Sequence, residues 1–278
     1  MKKILFIICL MLLFIGGVSA EELNPNVDIS EEGYERLSAF MSDLEISMID
    51  QKTYDLFLNN EVIGYQSYIV KETYVGSATQ LPRKVSEVYM TVDEYANTPS
   101  TVADCYISSD LTTSYCETPM KQLRLVVMKS SGNVIFSLIN EWKTMPKNKS
   151  FDVMAMRWTS NYTMTSYDGS QTTNGNTSYV AYNVGNGNYK FGTNAIGLSQ
   201  NLVDSATMIY NDMIVVGTCS GTGQVWATYQ HAQANITLAT SKLYNFSSSG
   251  YGGVLSFYGN ASGIYDNTTG MHLAYTCS

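Results

Sequence analysis

The chain has 278 residues, a formal net charge of −8 and only 14% charged residues, while Tyr and Gly each occur 21 times. An acidic chain is unsuited to nucleic acid or anionic lipid, because like charges repel. Sparse charge with abundant Tyr, Gly, Asn, Ser and Thr is typical of strands joined by polar turns. The composition therefore predicts a β-rich protein that binds no nucleic acid.

The first twenty residues have the three parts of a secretory signal peptide. Lys2 and Lys3 form its basic start, Ile4 to Ile15 its apolar stretch, and Gly16 to Ala20 a small-residue cleavage site. We predict cleavage after Ala20 and a secreted, extracellular protein without membrane insertion after cleavage. Cleavage removes two of the 16 basic side chains and none of the 24 acidic ones, so the net charge falls from −8 to −10.

Four of the 5 Cys remain after this cleavage. An even number in an exported chain favours two disulfides, for which three connectivities exist. We predict Cys105–Cys116 and Cys219–Cys277, since each pair is nearest in sequence and the second would hold the C-terminus. Free thiols in a reducing setting are the alternative. No close Cys/His spacing favours zinc, and we expect neither a metal nor a cofactor.

The segment 21–53 is predicted to be an extended leader followed by an amphipathic helix. Ser30 is a suitable N-cap, because Glu31 and Glu32 follow it and apolar residues recur at helical intervals as far as Met48. A short helical turn is expected around Gln51 to Tyr54. The pattern predicts no other helix.

From Tyr54 onward the apolar period changes to two, which predicts a mainly β domain over 54–278 with antiparallel, sandwich-like sheets. The first hairpin is predicted from Asp55–Asn59 and Val62–Glu72. Later strands are predicted at 85–92, 102–108, 122–129, 134–142, 151–158, 178–183, 207–218, 224–232, 235–240, 253–258 and 272–277. Turns are expected at 131–133 and at Asp168-Gly169. Within 183–197 the apolar pattern thins out, where either two subdomains meet or a long hairpin loop lies.

Three segments together resemble uncharacterised exported proteins of Gram-positive bacteria. They are Leu44-Glu45-Ile46-Ser47-Met48-Ile49-Asp50-Gln51-Lys52-Thr53-Tyr54, Trp142-x-x-x-Pro146 and Phe151-Asp152-Val153-Met154. The resemblance covers about a fifth of the chain. It implies export and a bacterial source, and it transfers no site residue.

One motif suggests nucleophilic catalysis. Gly217-Thr218-Cys219-Ser220-Gly221 matches the Cys form of the hydrolase nucleophile elbow, with His231 or His272 as the base. That elbow needs a strand that enters a helix, whereas the residues after Gly221 are predicted to form another strand. We therefore favour a disulfide-bonded Cys219 near a turn. The two His are expected on strands, as paired or surface residues.

Carboxylates offer a second route to catalysis, because two of them at a suitable separation suffice for glycoside hydrolysis. The sequence cannot supply that separation. The candidates are Asp93, Glu94, Asp152, Asp204, Asp212 and Asp266.

Aromatic side chains offer a binding function, because exposed Tyr and Trp faces stack on sugars. A core or cross-strand role is the alternative for each of them. The candidates are Trp142, Trp158, Trp226, Tyr162, Tyr167, Tyr179 and Tyr182.

With no catalytic residue assigned, the sequence favours a non-catalytic extracellular binding or surface-interaction protein. Its partner would be a glycan or a cell-surface protein. The alternatives are a secreted hydrolase acting on polysaccharide or peptide, and a structural envelope or matrix component.

Overall fold

The computed structural model describes residues 24–76, 82–97, 115–173, 179–183, 185–247 and 254–277. The predicted signal peptide, the predicted strand 102–108 and Cys105 lie outside these residues. The chain divides into two compact units, Met1–Tyr54 and Asp55–Ser278.

Three short helices form where one helix and a short helical turn around Gln51 to Tyr54 were predicted, and the third helix contains that turn. Helix α1 covers Glu31–Ser38, α2 covers Asp43–Ile46 and α3 covers Gln51–Asn59. Ser30 caps α1 as expected, because its Oγ accepts a hydrogen bond of 3.1 Å from the Gly33 N–H. The predicted continuation to Met48 is wrong, since Ser42 and Glu45 form a capping box that starts α2.

The predicted strand Asp55–Asn59 is also wrong, because these residues complete α3. The Asp50 carboxylate accepts a 2.7 Å hydrogen bond from the Thr53 N–H and so satisfies a donor in the first turn of the helix. Tyr54 and Phe57, three residues apart, are both buried. The segment is therefore a helix with a buried face, although its sequence is also compatible with a strand.

Two antiparallel sheets make up most of the second unit. The strands are β1 (Glu61–Gly76), β2 (Arg83–Met90), β3 (Tyr115–Glu117), β4 (Met120–Ser130), β5 (Asn133–Thr144), β6 (Phe151–Trp158), β7 (Tyr162–Thr173), β8 (Tyr179–Ala181), β9 (Tyr189–Gly192), β10 (Ala195–Asn201), β11 (Ile209–Cys219), β12 (Thr222–Gln230), β13 (Tyr244–Phe246), β14 (Leu255–Phe257) and β15 (Met271–Thr276). One sheet has the order β2-β1-β4-β5-β11-β7-β8, with β3 pairing β1, and the other has the order β15-β12-β6-β10-β9. β13 and β14 pair separately.

The core lies between the two sheets. Leu123 and Phe136 of the first sheet belong to one buried cluster with Met154, Ile196 and Tyr229 of the second. Buried apolar side chains from facing sheets define a β-sandwich. The predicted fold class is therefore confirmed.

Three further local predictions fail within this domain. Asp168-Gly169 lies inside β7 instead of in a turn. A Cβ on Gly169 would clash with Leu198 of the other sheet, so this glycine permits close packing. The predicted strand 235–240 contains the start of helix α5 (Leu238–Ser241), which Thr237 caps. Helix α4 (Val92–Asn97) was not predicted.

A disulfide joins Cys219 at the end of β11 to Cys277 after β15, with Cα atoms 5.7 Å apart. This is the pairing predicted from the sequence. The pairing of Cys105 with Cys116 stays a prediction, because Cys105 lies outside the described residues.

Candidate functional site

A lysine on β4 lies at the centre of a buried group of charges. Lys121 shares a strand face with Leu123 and Leu125, and its side chain is fully buried. Its Nζ is in direct contact with Oδ2 of Asp266 and lies 3.2 Å from Oε2 of Glu72. It also donates a 2.8 Å hydrogen bond to Oγ1 of Thr268.

Glu72 is placed beside Lys121 by the pairing of β1 with β4. Val70 is the direct partner of Lys121, so Glu72, two residues further along β1, lies on the same face. Its Oε2 accepts a 2.9 Å hydrogen bond from the Tyr74 hydroxyl, and Lys84 lies 3.3 Å from its Oε1. Burial opposes ionisation of Glu72, but Lys121 and Lys84 outweigh it and lower its pKa.

Asp266 is held by backbone contacts with the segment after β12. The Asp266 N–H donates to the His231 carbonyl at 3.1 Å, and the His231 N–H donates to Oδ1 of Asp266 at 3.0 Å. Ala232, which follows His231, and Tyr265, which precedes Asp266, form a β-bridge. Asp266 therefore has a fixed position although it precedes β15.

His231 connects Asp266 to a second buried carboxylate. Its Nδ1 lies 2.9 Å from Oδ1 of Asp152, which also accepts a 2.9 Å hydrogen bond from the Ala232 N–H. The Tyr229 hydroxyl donates to Oδ2 of Asp152 and accepts a 3.0 Å hydrogen bond from the Trp142 Nε1. We call Glu72, Lys121, Asp152, His231 and Asp266 the buried charge cluster.

Burial and neighbouring charges shift two pKa values within this cluster. Desolvation raises the pKa of Asp266 to about 6, with Lys121 opposing the rise and Glu72 adding to it. For His231, desolvation acts to lower the pKa, but Asp152 outweighs it and raises the value above 6.5. Both shifts follow from removing charged groups from water.

Aromatic rings surround the lysine. The centroids of Trp142 and Tyr229 each lie 5.6 Å from Lys121 Nζ, and both rings are buried. Such cation–π contacts stabilise an ammonium while excluding water. The charges thus interact in a medium of low polarity.

A cleft of about 570 Å³ lies over one side of the cluster. One wall is β2, through Arg83, Lys84 and Glu87, and the other is the segment from Gly263 to Asn267. Asp266 lines this cleft, although its carboxylate is fully buried.

Strand β2, at one end of the sheet order, exposes apolar side chains. Val85, Val88 and Tyr89 are 48%, 50% and 39% exposed. Val88 pairs with Lys71 of β1, and Tyr89 pairs with Val70. Because Val88 and Tyr89 are consecutive in β2, their side chains lie on opposite faces of the strand. We call these three residues the apolar edge.

Two of the carboxylates proposed from sequence meet in the cluster, namely Asp152 and Asp266. Asp93, Glu94 and Asp204 are exposed. Asp212 is buried in β11, where it accepts a hydrogen bond from Ser170.

The nucleophile-elbow interpretation is wrong. The sulfur of Cys219 is in a disulfide, and β11 is followed by strand β12, not by a helix. His231 and His272 are not cross-strand neighbours, since His272 pairs with Trp226.

Most of the aromatic candidates are buried. Trp142, Trp158, Tyr162 and Tyr182 lie in the core cluster between the sheets. Trp226 is partly exposed, and the Arg157 guanidinium packs over its ring. Cζ of Arg157 lies 4.1 Å from the Trp226 ring centroid. Tyr167 packs edge to face on Tyr189, and Tyr179 is exposed.

Sequence reasoning missed Lys121 and Glu72. The available signal was a basic residue in register with Leu123, Leu125 and Val127, on a strand face that is otherwise apolar. Lys is almost never fully buried unless it is paired, so this position required a buried anionic partner.

Among the described residues, no group of three or more His, Cys, Asp or Glu could hold a metal ion. No helix within the described ranges is long and apolar enough to cross a membrane.

The fold and the cluster define an antiparallel β-sandwich with a charged, aromatic-lined core. No family model matches the chain, and no curated protein matches it. One similar solved structure is the collagen-binding subdomain of the Enterococcus faecalis surface protein ACE, at 14% identity and TM-score 0.28 over 37% of this chain and 77% of that chain. A second is the Streptococcus pneumoniae pilus backbone, at 12% identity and TM-score 0.26 over 36% of this chain and 25% of that chain.

A third is the collagen-binding domain of the Erysipelothrix rhusiopathiae surface protein RspB, at 8% identity and TM-score 0.28 over 58% of this chain and 66% of that chain. At these identities and TM-scores we transfer neither a family nor an activity from any of the three.

Proposed function

We propose that this chain is an exported, non-catalytic binding protein that captures an extended segment of a partner protein along β2. The observation that carries this proposal is the apolar edge. Val88 and Tyr89 expose apolar surface on both faces of a strand at the end of a sheet.

An end strand offers backbone donors and acceptors to an added strand, and proteins usually protect such strands with charge, twist or cover. Exposed side chains on both faces of β2 would flank a partner strand that pairs with the side of β2 on which no described strand lies. A protein segment fits this arrangement better than a sugar, because main-chain pairing recognises another backbone.

The buried charge cluster supports the non-catalytic part of the proposal. Side chains of Lys121, Asp266 and Glu72 are at most 1% exposed, and Lys121 pairs with both carboxylates. General acid–base catalysis on a bound molecule requires the group to come within hydrogen-bonding distance of that molecule. These groups are positioned to act on one another.

The test uses the full secreted chain and a phage-displayed peptide library. Selection should yield peptides with apolar residues at alternate positions, and Val88→Lys should weaken their binding at least about tenfold, as burying an unpaired charge is costly. Tyr258→Ser, at an exposed aromatic residue outside β2, is the matched control and should leave binding unchanged. Selected peptides that bind Val88→Lys as tightly as the wild type would contradict the proposal.

Glycan binding is a second candidate, favoured by a separate aromatic group. Phe191 on β9 is 50% exposed and packs against Tyr167, with the two ring centroids 5.1 Å apart. Retention on polysaccharide columns that is lost in Phe191→Ser, but kept in Val88→Lys, would favour this candidate over the peptide-binding one.

A further inference from the structure

We propose that Lys121 and Asp266 are joined by an intramolecular amide bond, whose formation Glu72 catalyses by carrying protons. The product would connect β4 of the eight-stranded sheet to the segment that precedes β15 of the five-stranded sheet. The protein would thereby form a covalent cross-link between its two sheets without an added enzyme.

The first support is the placement of the reacting groups. Lys121 Nζ is in direct contact with the Asp266 carboxylate, and both side chains are fully buried. The backbone hydrogen bonds between Asp266 and His231 hold the carboxyl group in place. Fixed contact of this kind replaces a bimolecular encounter and contributes a large effective concentration.

The second support is the environment. Amide formation from an ammonium and a carboxylate is unfavourable in water, but burying two charges is itself costly. The Trp142 and Tyr229 rings exclude water around Nζ. The cleft beside Asp266 gives the released water a route to solvent. Conversion of an ion pair to a neutral amide removes the desolvation cost of both charges.

The reaction balances without an external reagent. Nζ of Lys121 forms a bond to Cγ of Asp266, and the bond from Cγ to Oδ2 breaks. Of the three protons on the ammonium, one stays on the amide nitrogen and two leave with the oxygen as water. No oxidant, reductant or cofactor takes part.

Glu72 is a carboxylate next to the reacting nitrogen and can move these protons. Its Oε2 lies 3.2 Å from Lys121 Nζ, and its lowered pKa keeps it available as a base. Thr268 Oγ1 accepts from Nζ at 2.8 Å and donates to Oε1 of Glu72 at 3.3 Å, which gives a second path.

Two features assist the carboxyl group. The His231 N–H donates to Oδ1 of Asp266 and would stabilise negative charge there as the bond forms. Burial raises the pKa of Asp266 to about 6, so protonation of this carboxyl, which makes it more electrophilic, costs less than it does for an ordinary aspartate. Oδ2 faces the lysine and is the oxygen that leaves.

The experiment is mass spectrometry of the purified full chain after reduction of its disulfides. We expect a mass one water below the sequence mass, no tryptic cleavage after Lys121, and a branched peptide that joins the fragments containing Lys121 and Asp266. The branched peptide distinguishes this cross-link from loss of water elsewhere. Full mass with normal cleavage after Lys121 would overturn the proposal, and this measurement needs no variant to fold.

Variants then test the roles of the two carboxylates. Glu72→Gln and Asp266→Ala should each retain the water and restore cleavage after Lys121. Lys143→Gln is the matched control, because Lys143 pairs with Glu141 at 2.7 Å outside the cluster, and it should form the cross-link as the wild type does. A branched peptide in Glu72→Gln at the wild-type yield would overturn the role of Glu72.

Discussion

At the residue scale, Asp152 shows how a buried charge is retained. It accepts hydrogen bonds from the Ala232 N–H and the Tyr229 hydroxyl and pairs with His231. Burying a carboxylate is costly unless each oxygen is satisfied in this way. The residue therefore positions the end of β12.

Replacement of Asp152 should be strongly destabilising. Asp152→Ala leaves His231 and the Tyr229 hydroxyl without their acceptor, and breaking a buried pair costs about 3–5 kcal/mol. Urea unfolding followed by circular dichroism measures the loss. Asp204→Ala, at an exposed carboxylate, should stay within about 0.5 kcal/mol of the wild type. Equal losses of unfolding free energy in the two variants would show that the hydrogen bonds of Asp152 do not stabilise the fold.

His231 should make stability depend on pH. Its pKa is raised in the folded state above 6.5, so its contribution is fully present below 6.5 and is lost as the pH rises through the folded value. The charged groups that face it are Asp152, Asp266 and Lys121.

The measurement compares urea unfolding of the wild type and His231→Gln at several pH values. The gap in unfolding free energy should be widest at acidic pH and should narrow at alkaline pH. Lys121 and Asp266 are the same in both proteins, whether as an ion pair or as an amide, so their own contribution largely cancels. His272→Gln, at an exposed histidine, is the control and should show no such trend. If the difference in unfolding free energy between the wild type and His231→Gln widened with rising pH, the predicted direction of the pH dependence would be contradicted.

At the scale of elements, the disulfide fixes the end of the chain. Cys219 and Cys277 are 58 residues apart in sequence, and their bond holds the last strand of the five-stranded sheet against the end of β11. Replacing both with Ser should cost about 2–5 kcal/mol, because the unfolded chain gains freedom. Reduction of the wild type should lower the free energy of unfolding by at least as much, which is measured from a lower midpoint of urea unfolding. An unchanged midpoint would contradict a stabilising role.

Close packing between elements should make Gly197 in β10 intolerant of a side chain. A Cβ there would clash with the Tyr244 hydroxyl, and overpacking a core typically costs about 1–3 kcal/mol. Gly197→Ala should lower the midpoint of thermal unfolding. Gly187→Ala is the control, because nothing lies within 4 Å of a Cβ at that position. Similar midpoints for both variants would show that Tyr244 moves aside without cost.

At the scale of the whole molecule, export remains the prediction with the most specific sequence motif. Expression in a secreting bacterial host should yield an extracellular chain whose N-terminal residue is Glu21, because the small-residue site ends at Ala20. Edman sequencing of the secreted protein checks this. Ala20→Arg should block processing and retain the precursor, and secretion of that variant with the same N-terminus would contradict the assignment.

Much of the fold was predictable because alternation is a local property. The predicted strand 151–158 is identical to β6, and β4, β5, β11 and β15 contain most of their predicted residues. The failures occur where one pattern fits two structures. Asp55–Asn59 fits either a helical or a strand period. Gly169 is a residue typical of turns, but in the structure it lies in a strand where a side chain would clash with Leu198 of the opposite sheet.

The candidate site was less predictable, because its members come from distant parts of the sequence. Asp152 and Asp266 were candidates among several carboxylates, and only the pairing of strands distinguishes them from Asp204 and Glu94. Lys121 and Glu72 become neighbours through the register of β1 with β4. A sequence alone does not specify that register.

The sequence by itself determined the sandwich class and the helical start, and it predicts the export signal, since each depends on composition or on residues close along the chain. The tertiary structure alone decided which charges are buried together, and it placed Lys121 against Asp266, 145 residues away. The physical reason is that a charge enters an apolar core only with its partners. Those partners are set by packing between strands, not by proximity in sequence.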